Sequence, residues 1–394
     1  MRKIAEVCAP PIPPAWSPDG STLALCAYTD YEHAYEWNDV HVITIRADGS
    51  GAKRVWTRSL DRLCQIYMAT DIKPFGAAHS PPLWSPDGRR IYFLASDRGN
   101  GRLYSVTLPE GEISPLTHGA EVILDFHGRP DTGRFALLIA DPDDPGDIFT
   151  CAVDPARGTL VEEKRRLTTM NQTHLEGIAI GRTEEVTLPS FDGTPIHGFV
   201  LYPPDFDRTK KYPLILEMHG GPHILSGNIF FHEYHVLSGA GFIVATFNHR
   251  GSQGYGEDFA AAIARDWGRI DYQDLMACVD RLCERPYVDE ERLGVAGGSY
   301  GGYMTMWIVT QTDRFKAAVS FRAVSNLYSV AGTADMGFDN AREYGAQPWE
   351  DREHLFRMSP ISHVQNVTTP ILIVQAEEDL RCPIEQAEQF YFAL

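Results

Sequence analysis

Residues 292–304 read RLGVAGGSYGGYM. The apolar run at residues 293–296 is typical of a buried strand, and residues 300–311 have the apolar content of a buried helix. Between them, residues 297–301 form a G-x-S-x-G pattern with Ser299 at its centre. A strand, a glycine-rich turn and a helix in this order predict a sharp bend that projects the serine hydroxyl outward.

The serine in such a bend is placed to act as a nucleophile. Because the strand and the helix approach closely, the residues two before and two after the serine must be very small, and Gly297 and Gly301 meet this need. The helix that begins at Tyr300 directs its first N–H groups at developing negative charge. We therefore predict Ser299 as the catalytic nucleophile. The alternative is a glycine-rich turn with an incidental serine.

From about residue 183 to the end, apolar strand patterns alternate with helical ones. The predicted strands are residues 213–218, 242–247, 292–296, 317–321 and 371–375, and the predicted helices are residues 273–284, 300–311 and 383–394. Continuous β-branched runs between helices are typical of a mostly parallel sheet with helices on both faces. Together with the serine turn, this pattern predicts an α/β-hydrolase fold for residues 181–394.

The first part of the chain has a different pattern. Short apolar runs alternate with Pro, Asp and Gly clusters, which are strand and turn signals. The pentapeptide Trp-Ser-Pro-Asp-Gly occurs at residues 16–20 and 84–88 and predicts a tight turn each time. Three units of several strands follow, which we place at residues 13–57, 82–118 and 122–169. We predict a partial all-β propeller over residues 1–180, with fewer blades than the roughly 4–8 that close a ring.

A second glycine pair follows the strand at residues 213–218. His219-Gly220-Gly221-Pro222 lets backbone N–H groups approach a bound carbonyl oxygen. We predict that the N–H groups of Gly221 and Tyr300 form an oxyanion hole. The alternative is a turn that only ends the strand.

Three adjacent acids, Glu377, Glu378 and Asp379, follow the strand at residues 371–375. An acid on the loop after a late strand is where this fold places the residue that orients the catalytic histidine. The residue chemistry alone leaves the choice among the three open, and a solvated acidic loop is the alternative.

The motifs taken together resemble the prolyl oligopeptidase family, in particular its acylaminoacyl-peptidase and dipeptidyl aminopeptidase-like branch. The resemblance covers residues 185–394 and rests on HGGP (219–222), NHRGSQGYG (248–256), GGSYGGYMT (297–305) and EEDLRCPIEQAEQF (377–390). It implies a serine peptidase that acts on short or N-acylated peptides, with a propeller that limits access and with Asp379 as the triad acid. Two departures are His249, where proline is usual, and Gln375-Ala376, where His-Gly is usual.

The general base is the missing element. In this fold the triad order along the chain is Ser, Asp, His, yet the fifteen residues after Asp379 contain no histidine. All fourteen histidines precede it, and His219, His223 and His249 are the candidates to replace the triad histidine as the base. Because the propeller is also incomplete, we expect a fragment truncated at both ends, with little peptidase activity of its own.

Charge and composition exclude several other classes. Asp and Glu outnumber Lys and Arg by 53 to 35, and the resulting charge of −18 disfavours nucleic acid and anionic membrane partners. No apolar run approaches the roughly 20 residues that cross a bilayer, and the first sixteen residues contain no apolar stretch of the length expected for a signal peptide. Seven scattered cysteines predict reduced thiols and a cytoplasmic protein.

No cofactor or metal is expected, since the His232-Glu233-Tyr234-His235 sequence lacks the i, i+4 spacing of zinc ligands. Arg250 has two interpretations: it either holds its own loop or contacts a substrate carboxylate. Two alternative functions remain open, a carboxylesterase and a non-catalytic propeller-bearing binding protein.

Overall fold

The computed structural model describes residues 3–30, 34–72, 80–129, 131–154 and 157–394. The chain divides into two compact units. The first contains the residues up to Ile178 together with Gly227–His232 and Gln253–Asp258. The second contains Ala179–Ser226, Glu233–Ser252 and Phe259–Leu394.

The first unit consists of antiparallel strands in sets of four. The strands are β1 (Ala15–Trp16), β2 (Thr22–Ala27), β3 (His41–Arg46), β4 (Arg54–Val55), β5 (Leu83–Trp84), β6 (Arg90–Asp97), β7 (Asn100–Thr107), β8 (Ile113–Pro115), β9 (Val122–Arg129), β10 (Arg134–Asp141), β11 (Asp144–Val153) and β12 (Leu160–Arg166). Strands β1–β4 form one sheet. Strands β5–β8 and β9–β12 share a second sheet, in which a single parallel pairing, Gly101 with Val122, joins the two sets. A 3₁₀ turn (Arg58–Leu60) and helix α1 (Gln172–Leu175) complete the unit.

Both Trp-Ser-Pro-Asp-Gly segments form the tight turns that their sequence predicts. In the first, Ser17 Oγ donates to Asp19 at 2.6 Å and Gly20 has a φ of 71°. In the second, Ser85 Oγ donates to Asp87 at 2.6 Å. These turns lead into the first and second of the three strand sets. Residues 31–33, 130, 155 and 156 of the predicted units lie outside the described residues, and the assignment of the sets as propeller blades stays a prediction.

The second unit is built on a seven-stranded mixed sheet. Its strands are β13 (Thr183–Pro189), β14 (Pro195–Leu201), β15 (Tyr212–Met218), β16 (Ile243–Asn248), β17 (Val288–Gly298), β18 (Ala317–Phe321) and β19 (Ile371–Val374). The spatial order is β13-β14-β16-β15-β17-β18-β19. The last five strands in this order run parallel, and β13 and β14 are antiparallel to their neighbours. The predicted, mostly parallel sheet is present.

Helices and 3₁₀ turns connect these strands. The helices are α2 (His232–Gly239), α3 (Glu257–Ala261), α4 (Ile270–Cys283), α5 (Tyr300–Gln311), α6 (Leu327–Thr333), α7 (Asn340–Glu343), α8 (Arg352–Arg357) and α9 (Ile384–Ala393), and the 3₁₀ turns are Gly337–Asp339 and Pro360–Asn366. Helix α4 begins three residues before the predicted start. The Asp271 side chain accepts the Gly268 N–H at 2.9 Å and so closes the first turn.

The register of the sheet brings several loops to one edge. Met218 pairs with Gly297, Gly298 with Phe321, and Phe321 with Val374. Because the four strands are parallel, their carboxyl ends meet at this edge, where ligands bind in open α/β sheets. The loops that follow β15, β17 and β19 therefore begin at the same edge of the second unit.

None of the helices in the described part of the chain is long and apolar enough to cross a lipid bilayer. The predicted cytoplasmic location stays a prediction.

Candidate active site

Ser299 occupies a strained bend between β17 and α5. Its φ of 61° and ψ of −120° lie in a region that residues with a Cβ atom rarely adopt. Its N–H donates to Phe321 O at 3.0 Å, and its carbonyl accepts the Tyr303 N–H at 2.9 Å. Two neighbouring elements therefore hold the backbone in the conformation that a nucleophile elbow requires.

The glycines beside Ser299 leave no room for side chains. A Cβ atom on Gly297 would lie 2.6 Å from Gly301 O, and one on Gly301 would overlap Met218 O. A Cβ atom on Gly302 would lie 2.6 Å from Phe321 O. The predicted need for small residues at 297 and 301 is thus a steric property of the folded chain.

The glycine loop after β15 runs directly beside the serine. A Cβ atom on Gly220 would lie 3.3 Å from Ser299 Cβ and 3.9 Å from its Oγ. Gly221 has a φ of 113°, which favours glycine. Within the described part of the chain, neither the Gly221 N–H nor the Tyr300 N–H donates a hydrogen bond. Both predicted oxyanion donors are therefore without a partner among the residues that the structure describes.

The acid loop is ordered around Asp379 and not around its two neighbours. Asp379 Oδ1 accepts the N–H groups of Arg381 and Cys382, each at 2.9 Å. Gln375 Nε2 lies 3.4 Å from Oδ2. Glu377 and Glu378 are exposed. The carboxylate that the family resemblance selects is the one that the loop holds in a fixed orientation.

Cys382 connects this loop to the serine. Its Sγ atom lies 4.0 Å from Ser299 Oγ, and the side chain is 3% exposed. Burial raises the pKa of the thiol to about 11, so the group is neutral near pH 7. No sequence pattern singles out this cysteine, because its proximity to Ser299 arises only in the fold.

The histidines of the second unit have other partners. His219 Nε2 lies 3.0 Å from Ser252 Oγ, and its Nδ1 lies 2.7 Å from Gly220 O. The ring nitrogens of four other histidines contact backbone carbonyl oxygens: His223 that of Gly251, His249 that of Arg250, His354 that of Tyr344 and His363 that of Arg357. Among the described residues, no histidine donates to or accepts from the side chain of Ser299 or Asp379. His33 and His79 lie outside the described residues.

Burial sets the protonation of the groups around the bend. It lowers the pKa of His219 to about 3, with the neighbouring His249 as a smaller cause. It raises the pKa of Tyr300 well above the usual value, as does the Asp271 carboxylate, which accepts the Tyr300 hydroxyl at 2.6 Å. His219 and Tyr300 are therefore neutral at physiological pH.

Arg250 contacts protein carboxylates on two sides. Its guanidinium Nη2 lies 2.6 Å from Asp274 Oδ1, and its Nη1 lies 2.7 Å from Asp192 Oδ2. Asp274 is fully buried and also accepts the Arg250 N–H at 2.9 Å. These contacts favour the structural interpretation of this arginine.

No group of three or more His, Cys, Asp or Glu side chains in the described part of the chain has the arrangement of a metal site.

Part of the chain matches a known protein family. The sequence of residues 228–394 matches the prolyl oligopeptidase family. Its members are serine peptidases, and the resemblance inferred from the motifs is confirmed.

Relatives in this family share most of the chain. It is 40% identical over 321 residues to the uncharacterized peptidase YuxL of Bacillus subtilis. The matched residues make up 81% of this chain and 48% of that protein. It is 30% identical over 388 residues to dipeptidyl-peptidase 5 of Porphyromonas gingivalis. That match covers 95% of this chain and 52% of the relative. The acylaminoacyl peptidase of Pyrococcus horikoshii is similar in structure, with a TM-score of 0.78 and 27% identity over 95% of this chain and 55% of that one. The chain thus spans about half the length of the curated relatives it matches.

Proposed function

We propose that the second unit carries the acyl-transfer chemistry of a serine peptidase, with Ser299 as the nucleophile. The observation that carries the proposal is the strained backbone of Ser299, at a φ of 61°, directly beside the Gly220–Gly221 backbone. Strain at a non-glycine residue is retained where the surrounding structure enforces it, and functional sites are where it concentrates. An incidental serine in a glycine-rich turn would not need this conformation.

In the proposed reaction, Ser299 Oγ forms a bond to the substrate carbonyl carbon and loses its proton to a base. The carbonyl oxygen becomes an oxyanion and accepts hydrogen bonds from the N–H groups of Gly221 and Tyr300. Collapse of the tetrahedral intermediate breaks the C–N bond, and the base returns the proton to the leaving amine. Water then hydrolyses the acyl-enzyme by the same steps.

Asp379 would orient the histidine that acts as this base. Its carboxylate orientation is fixed by two backbone N–H groups, while Oδ2 has only the 3.4 Å contact with Gln375. None of the histidines in the described residues contacts this carboxylate, so we propose that these 394 residues do not supply the base. The chain by itself is then expected to react slowly, through the oxyanion donors and binding alone.

We further propose a short peptide as the substrate and two domains as the organisation. The printed names of the relatives, dipeptidyl-peptidase and acylaminoacyl peptidase, support a peptide. The domains would be a partial propeller at residues 1–180 and an α/β-hydrolase domain at residues 181–394. The three antiparallel strand sets support the first, and the sheet order supports the second.

Rescue by an exogenous base tests the mechanism. Hydrolysis of an acyl-peptide p-nitroanilide and of a p-nitrophenyl ester is measured with and without imidazole, and the rate of the Ser299→Ala variant is subtracted from each. We expect a slow Ser299-dependent rate that rises at least about tenfold with imidazole, because the added base takes the serine proton.

Two results would contradict the proposal. Equal rates for the wild-type chain and Ser299→Ala on both substrates would remove Ser299 as the nucleophile. A wild-type rate at the usual level of peptidases, about 1–10³ s⁻¹ without imidazole, would show that the chain already contains its base. The anilide-to-ester ratio separates a peptidase from a carboxylesterase.

A further inference from the structure

Three buried aromatic rings form a continuous stack beside Ser299. The His249 ring lies between His219 and Tyr300, with centroid distances of 5.1 Å and 5.2 Å and interplanar angles of 15° and 30°. The exposed fractions of His219, His249 and Tyr300 are 4%, 0% and 2%. His219 begins the glycine loop, and Tyr300 begins helix α5. The central ring therefore contacts both elements that carry the proposed oxyanion donors.

We propose that His249 is a positioning residue that sets the separation of the Gly221 and Tyr300 N–H groups. The inference rests on the proposed function, since it concerns the same oxyanion hole. The residue acts through the two rings that it separates and does not itself contact the substrate.

The outer rings of the stack are also held by contacts outside it. His219 contacts Ser252 Oγ at 3.0 Å and Gly220 O at 2.7 Å. The Tyr300 hydroxyl donates to Asp271 at 2.6 Å, and the Trp267 ring meets the Tyr300 ring edge-on at 4.7 Å. Because both ends are anchored, the thickness of the central side chain determines how far apart they lie.

Stacking and not hydrogen bonding is the main contact of the His249 ring. Its Nδ1 donates to Arg250 O at 2.7 Å, the carbonyl of the next residue. Its Nε2 is buried, and among the described residues it has no hydrogen-bond partner. Burial lowers the pKa of His249, an effect that the Asp271 carboxylate opposes, so the ring stacks in its neutral form. A phenyl ring would keep the stacking surface and remove an unpaired nitrogen.

The position also departs from the motif that the chain otherwise matches. Residue 249 follows Asn248 in the NHRGSQGYG segment, where proline is usual in the resembling family. Proline offers no flat ring for a stack. A proline at position 249 would therefore not form the stack that the His249 ring forms with His219 and Tyr300.

The test compares His249→Phe with His249→Leu and His249→Ala. Phenylalanine keeps a ring, leucine fills the space without one, and alanine opens a cavity. Hydrogen exchange is followed in peptides that contain Ser226 and Tyr303, whose N–H groups donate to Asn248 Oδ1 and Ser299 O. We expect at least about tenfold faster exchange in both peptides for leucine and alanine, and exchange within about threefold of wild type for phenylalanine. The β13–β14 hairpin serves as an internal control for global unfolding.

A second readout concerns the reaction. Phosphonylation of Ser299 by a fluorophosphonate is resolved into a binding constant and a maximal rate. We expect His249→Leu to lower the maximal rate at least about tenfold with little change in binding, and His249→Phe to restore it. The proposal is wrong if His249→Leu leaves the exchange rate unchanged in one or both peptides. It is also wrong if His249→Phe is phosphonylated as slowly as His249→Leu. A wild-type chain that is not labelled at Ser299 would instead contradict the proposed function, while hydrogen exchange still decides the role of His249.

Discussion

The Sγ atom of Cys382 lies 4.0 Å from the Oγ atom of Ser299. Two residues separate Cys382 from Asp379, whose carboxylate accepts the cysteine N–H at 2.9 Å. This contact joins the acid loop to the nucleophile bend, so a group added to the thiol would lie next to the serine hydroxyl.

Thiol modification should therefore block the serine. We expect methanethiosulfonate treatment to reduce fluorophosphonate labelling of Ser299 at least about tenfold, because the added S-methyl group would crowd the Ser299 hydroxyl. Burial raises the pKa of this thiol to about 11, so modification should accelerate with pH up to that value, as the thiolate fraction grows. Cys382→Ser, which retains the other six cysteines, should be labelled equally with and without the reagent. Equal protection of both proteins would contradict this account.

The glycine at 301 should be sterically irreplaceable. Gly301→Ala places a methyl group on Met218 O, and we expect a loss of at least about 2 kcal/mol in the free energy of unfolding. Gly332→Ala, in helix α6 with nothing within 4 Å of the new methyl group, is the matched control. It should be neutral or stabilising by up to about 1 kcal/mol. Chemical denaturation of both variants measures the difference, and equal effects would refute the crowding argument.

The ion pair between Arg250 and the buried Asp274 should stabilise the folded state. Asp274→Ala leaves a largely buried guanidinium without its main carboxylate, and we expect destabilisation of about 3–5 kcal/mol. Glu284→Ala removes an exposed carboxylate that pairs with Arg281 at 2.8 Å, and should cost less than about 1 kcal/mol. If Asp274→Ala lowered the free energy of unfolding in urea by no more than Glu284→Ala, the ion pair between Arg250 and Asp274 would not stabilise the fold.

Glu217 should destabilise the protein as the pH rises. Burial and the nearby Glu233 carboxylate raise the pKa of Glu217 well above its usual value, with Arg322 opposing, and among the described residues its Oε2 has no hydrogen-bond partner. The folded state therefore retains a proton that the unfolded chain releases above about pH 4.5. Stability from this group is complete below that pH and is lost as the pH rises toward the folded pKa.

Glu217→Gln should remove this loss. We expect the free energies of unfolding of the variant and the wild type to differ little at acidic pH. Above about pH 4.5, the variant should gain stability over the wild type by up to about 1.4 kcal/mol per pH unit. Glu291→Gln, at an exposed position, is the reference for removing one negative charge. Urea unfolding over a pH series gives both differences. A Glu217→Gln difference that is constant with pH would show that the carboxyl ionises freely.

Much of the second unit follows from local sequence. The predicted strand at residues 317–321 and the predicted helix at residues 300–311 match Ala317–Phe321 and Tyr300–Gln311. The β-branched and apolar runs there are bounded by glycine or polar residues, so pattern and structure agree at the ends. The position of Ser299 in a sharp bend was also predictable, because the glycines that the bend requires at 297 and 301 lie within the same five consecutive residues.

Contacts between distant residues were not predictable in the same way. Asp271 has the sequence character of a polar residue before a helix, yet in the fold it is buried and accepts the Tyr300 hydroxyl, 29 positions away. Cys382 and His249 likewise gain their neighbours from the packing of separate loops. A single sequence contains no local signal for such pairs, since nothing in the residues beside them specifies which loop will lie opposite.

The site of covalent modification tests the central claim most directly. The chain is treated with a fluorophosphonate, digested, and the labelled residue is located by tandem mass spectrometry, with heat-denatured chain and Ser299→Ala as controls. The account predicts a single phosphonylated residue, Ser299, in the folded chain and no label in either control. Label on other serines with Ser299 unmodified, or equal labelling before and after denaturation, would contradict the assignment of Ser299 as the nucleophile.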